Sequence, residues 1–114
     1  MGFPLSRPRR LRKTSALRSL VRETRLSPHD FVLPLFFHAA LSEPKPISTL
    51  PGIFQLPISH AKKTATELRA RGIQSCILFG LPEKKDERGE VGLDPNGPVP
   101  RAIAEMKSAV PDLI

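Results

Sequence analysis

FVLPLFF, from Phe31 to Phe37, is one continuous apolar run. A strand with one face in water alternates apolar and polar residues, whereas a strand covered on both faces does not, and continuous runs are characteristic of parallel sheets. Pro34 inside the run is a local conflict, because proline removes a ladder donor and favours edges or bulges. The stretch therefore predicts a doubly covered strand with a defect at its centre.

Downstream, residues 38–57 read as a long proline-bearing connection with a turn at Pro51-Gly52. Ile58, Ala61, Ala65 and Leu68 then recur at helical spacing, with Ser59 placed to help cap the start and Gly72 placed just past the end. Ile73–Phe79 is a second continuous apolar run. After it comes a polar, glycine-bearing stretch from Pro82 to Gly97. Pro98 fits the first turn of a further helix, whose apolar side is Val99, Ala102, Met106, Ala109 and Val110. Pro111-Asp112 ends that helix, and Leu113-Ile114 read as the first residues of a third strand. Strands alternating with helices predict a parallel α/β architecture. Two strands and a stub leave apolar edges unpaired, which favours aggregation. The expectation is the opening of a larger sheet.

Upstream, residues 1–27 form a separate basic arm, and residues 28–114 carry the α/β pattern. Residues 1–25 hold eight Lys/Arg against one acid, Glu23, while residues 26–114 hold ten of each sign, so the arm carries the net charge of +7. Thr14 or Ser15 can cap a helix running to about Arg25, with Leu17, Leu20 and Val21 on one face and Arg18, Arg22 and Arg25 beside them. Leu26-Ser27-Pro28 breaks it, since the residue before proline disfavours helical backbone.

Composition narrows the function classes. A basic arm first points to nucleic acid or an anionic membrane. However, the chain has no Trp, no Tyr and six Phe, and Phe31, Phe36, Phe37 and Phe79 lie in apolar runs that predict core positions. That leaves no aromatic platforms for base stacking. The lone Cys76 permits no internal disulfide and no multi-cysteine metal site, and reads as a buried structural thiol. No apolar run reaches membrane-spanning length and no secretory h-region follows the basic start, so the expectation is cytoplasmic. Gly2 and Ser6 fit a bare myristoylation pattern that Phe3-Pro4 weakens. Pro4 and Pro8 interrupt any transit-peptide helix.

RPRRLR (Arg7–Arg12), VRETRLSPHDFVLPLFF (Val21–Phe37), ISTLPGIFQLPI (Ile47–Ile58) and LDPNGPVPRAIAEMK (Leu93–Lys107) together resemble the N-terminal portion of porphobilinogen synthase, also called delta-aminolevulinic acid dehydratase. The resemblance runs through nearly the whole chain. It implies the arm and first two β/α units of a TIM (β/α)8 barrel, a fold needing about 250 residues. It also implies a homo-octamer assembled through the arm. Arg7, Arg9, Arg10, Arg12 and Lys13 are then subunit-contact candidates. The implied reaction condenses two 5-aminolevulinate molecules into porphobilinogen in tetrapyrrole and haem synthesis, a lyase activity. The family uses two lysines, one forming a Schiff base, assisted by zinc or magnesium, and those groups belong to later barrel strands than this sequence reaches. No catalytic, substrate-binding or metal residue carries over, and the chain alone is expected to be inactive. Two rival expectations are a non-catalytic subunit-interaction fragment and a small basic nucleic-acid binder.

Three features remain to be weighed on their own chemistry. Lys84 and Lys85 follow a strand, where barrel sites form. They share their loop with Glu83, Asp86, Glu87, Arg88 and Glu90, and nothing apolar is present to activate an amine. A solvated loop, with a lid or subunit contact as the functional alternative, is expected. His29, His38 and His60 match no metal-ligand spacing, and His38 alone stands at a strand end. Gly89-x-x-Gly92 matches no phosphate loop.

Overall fold

The computed structural model describes residues 9–114. It is elongated, with a radius of gyration of 21.0 Å and extents of 62 × 33 × 25 Å, where a compact domain of this length would have a radius near 13 Å. The elongation comes from residues 9–27 of the arm, which lie almost wholly exposed. Helix α1 (Ser15–Leu20) starts where Thr14 Oγ1 accepts from the Leu17 amide at 3.1 Å. It ends at Val21, several residues short of the expected Arg25. No tertiary packing supports a longer helix there: its residues are exposed apart from half-buried Leu17. Short helices are marginal without such packing.

At the base of the arm the Asp30 carboxylate accepts from the Ser27 amide at 2.6 Å and from its hydroxyl at 3.1 Å. Pro28 packs over Gly72, whose φ is +78° and where an added Cβ would sit 3.3 Å from the Pro28 Cβ. The chain then enters β1 (Val32–His38), followed by β2 (Lys45–Pro46), β3 (Phe54–Pro57), helix α2 (Ala61–Ala70), β4 (Ser75–Leu81) and helix α3 (Pro98–Ala109). The four strands form one sheet in the order β2-β3-β1-β4, with β1 parallel to both β3 and β4 and only β2 antiparallel.

Several expectations change here. The connection at 38–57 is not structureless: it holds β2 and β3, so the edge of β1 expected to be open is partly paired. The two long strands are Val32–His38 and Ser75–Leu81, displaced by one and two residues from the apolar runs. Pro34 proves harmless in a central strand. The Ala39 amide bonds to Leu81 O, so by alternation the odd residues of β1 aim their backbone groups at β4 and the even ones at β3. β3 begins pairing only at Phe36, so the donor that Pro34 lacks would have had no partner. Leu113-Ile114, expected to begin a third strand, are not assigned to one, but Ile114 N donates to Gln74 O and Ile114 O accepts from Cys76 N, both at 2.9 Å, beside the outer edge of β4.

Helices α2 and α3 cover one face of the sheet. Leu35 and Phe37 from β1 meet Ala61, Ala65 and Leu68 from α2, and Ala102, Met106 and Val110 from α3, with Leu33, Leu56, Cys76 and Leu78 packed around them. Val99 is half-buried and Ala109 is exposed, so the apolar side of α3 is narrower than its sequence indicates. Ser59 does not cap α2, because Ile58–His60 form a 3-10 turn leading into it. At the other end Gly72 N bonds Arg69 O and Ile73 N bonds Leu68 O, both at 3.0 Å. This is the Schellman arrangement that only a left-handed residue completes without strain. No helix among the described residues is long and apolar enough to cross a membrane.

Candidate functional site

Strand alternation sends the remaining side chains to the opposite face, where no helix of the described residues lies. Register places Pro34 beside Ile77, Phe36 beside Phe79 and His38 beside Leu81. Phe36 and Phe79 stack with ring centroids 5.2 Å apart and planes 19° from parallel. Phe79 is 46% exposed and Ile77 49%, against 0% for Phe37 on the covered face. Phe31 is also exposed and Phe36 only half-buried. Of the four phenylalanines expected in the core, Phe37 alone is there. The period-2 alternation was the available signal, and it is masked when both faces are apolar.

One step above the stacked rings, His38 ends β1. Its Nδ1 accepts from the Ala40 amide at 3.1 Å, which leaves Nε2 as the nitrogen that carries the proton in the neutral ring. A groove of about 360 Å³ opens beside it, lined by Ala39, Pro82, Lys84, Asp94, Asn96 and Pro98 among others. The C-terminal ends of β1 and β4 thus carry an apolar floor and a polar rim. Gly80 makes this junction possible: an added Cβ would lie 2.7 Å from Val99 Cγ2 and 3.0 Å from Pro98 Cγ. Only glycine lets the first turn of α3 press this closely on β4.

The polar loop over this end is internally organised. Asp86 Oδ1 accepts from the Arg88 amide at 2.8 Å and the Glu90 amide at 3.1 Å, and Asp94 Oδ1 accepts from the Asn96 amide at 2.8 Å. Gly89 turns the chain with φ +65°. Lys84 and Lys85 are exposed, as the surrounding charges predict. His29, His38 and His60 lie apart, on the arm's base, the end of β1 and the start of α2. Among the described residues no group of three or more His, Cys, Asp or Glu could hold a metal ion. These residues therefore do not fit the zinc or magnesium the resemblance implies, and no ligand is assigned here.

Cys76 is half-buried rather than fully buried, its thiol 3.6 Å from Ile114 O. Burial pushes its pKa up, and the Lys107 ammonium opposes this more weakly. The Arg69–Asp112 ion pair ties α2 to the end of α3. Hydrogen bonding to Arg69 holds the Asp112 carboxyl below its ordinary range.

On the arm, Arg9, Arg10, Arg12 and Lys13 are all exposed, and Arg7 lies outside the described residues. Arg12, Arg18 and Arg22 line a groove of about 400 Å³ with Leu11 and Val21. Beside this charge runs an apolar series that composition did not reveal: Leu20 is 77% exposed and Leu26 72%.

The sequence profile of one family, delta-aminolevulinic acid dehydratase, matches residues 5–114. The chain belongs to that family. A delta-aminolevulinic acid dehydratase of Streptomyces coelicolor is 45% identical over 113 residues, covering 97% of this chain and 34% of the relative. That of Archaeoglobus fulgidus is 39% identical over 112 residues, covering 98% and 34%. The crystal structure of the Toxoplasma gondii ME49 enzyme, in complex with the reaction product porphobilinogen, superposes with a TM-score of 0.82 at 37% identity, covering 96% of this chain and 31% of that one. The four-stranded α/β sheet therefore matches a solved dehydratase. The chain spans about a third of the length of the curated relatives it matches.

Proposed function

We propose that this dehydratase segment serves a porphobilinogen synthase, a lyase that joins two 5-aminolevulinate molecules into porphobilinogen for tetrapyrrole synthesis. The observation that carries the reading is the superposition on a dehydratase holding that product, at 37% identity across 96% of the chain. Within such an enzyme, β1 and β4 are the first two strands of a (β/α)8 barrel, helices outside and the open face inward. Parallel strands with both helices on one side support this, because a barrel needs one face of every strand for its interior. Residues 1–27 are the arm and residues 28–114 the start of the barrel.

The chemistry this segment contributes is environmental. The Phe36–Phe79 stack lies just below the C-terminal rim, where barrel enzymes place their sites. An apolar floor there excludes water and disfavours a charged ammonium, so a lysine amine above it stays nucleophilic at neutral pH. His38 and the 82–97 loop form part of the rim. The arm meets a neighbouring subunit, its exposed leucines on apolar surface and Arg9, Arg10, Arg12 and Lys13 on polar surface, in a homo-oligomer of the octameric kind. A single cysteine, with no partner in this chain for a disulfide, fits a cytoplasmic setting.

The test is a chimera in which residues 5–114 replace the matching segment of the Streptomyces coelicolor enzyme. It should form porphobilinogen from 5-aminolevulinate, while the 114-residue protein alone should form none. A folded, assembled chimera without turnover, or turnover by the purified 114-residue protein, would overturn the proposal.

A further inference from the structure

We draw no further inference here: the strongest candidate, the arm groove lined by Leu11, Arg12, Arg18, Val21 and Arg22, belongs to the subunit-contact surface already proposed, and nothing among the described residues shows what else covers it.

Discussion

The two faces of the β1–β4 ladder are built from the same strands and are almost equally apolar, yet they meet opposite surroundings. Leu35 and Phe37 are sealed beneath α2 and α3, while one residue away Phe36, Ile77 and Phe79 face outward with no covering element among the described residues. Apolarity alone therefore says which residues avoid water, and not what shields them. The covered face holds this segment together. The open face is the one that the proposed reading turns toward the barrel interior.

The sharpest way to break this contrast is to shorten one phenylalanine on each face. Phe37→Ala empties a fully buried site and should cost about 3–5 kcal/mol, enough to unfold most of the isolated chain in circular dichroism. Phe79→Ala removes a half-exposed ring and should shift the denaturation midpoint only slightly. Equal losses at the two positions would mean that the open face is packed after all.

Gly80→Ala probes the junction between the two faces. Its methyl group must displace Val99 or Pro98, so overpacking of about 1–3 kcal/mol is expected, read as a lowered denaturant midpoint. An unchanged midpoint would show that the first turn of α3 is free to move. On the open face itself, Ile77→Glu should raise the monomer fraction of the 114-residue protein in light scattering with little change in helix signal. A charge there prevents the uncovered faces of two copies from burying each other.

Away from both faces, Asp112→Asn tests the tie between α2 and α3. The native carboxyl is held below its ordinary pKa by Arg69. Its contribution is thus fully present above the unfolded value, near 3.9, and disappears as pH falls through the lowered folded value. Stability of the variant should show a shallower decline between about pH 5 and pH 3. Both groups are exposed, so the effect is small, and matching acid limbs for the two proteins would remove the pair from the account.

Much of this arrangement was legible in the residues. Continuous apolar runs announced parallel strands, Gly72 the end of α2, and Pro98 the start of α3. What escaped notice has identifiable causes. Lys45–Pro46 and Phe54–Pro57 are too short to show a period, and their prolines argue against strands until register shows that the missing donors are not needed. Strand limits slid by one or two residues because hydrogen bonds to the neighbouring strand set them, and side-chain polarity does not. The site's floor was hidden for the same reason that the fold was readable: runs apolar on both faces reveal a strand while concealing which phenylalanines are core. Leu17, Leu20 and Val21 looked like one face of a longer helix until the structure left Leu20 and Val21 in water.

The most direct measurement is fluorine NMR of the active chimera carrying a fluorinated phenylalanine at position 79, with position 37 labelled in parallel. Adding 5-aminolevulinate should shift the Phe79 signal and leave the Phe37 signal in place if the open face is the one turned toward the reactants, as proposed. A silent Phe79 alongside full turnover would contradict the assignment of the open face to the reaction chamber.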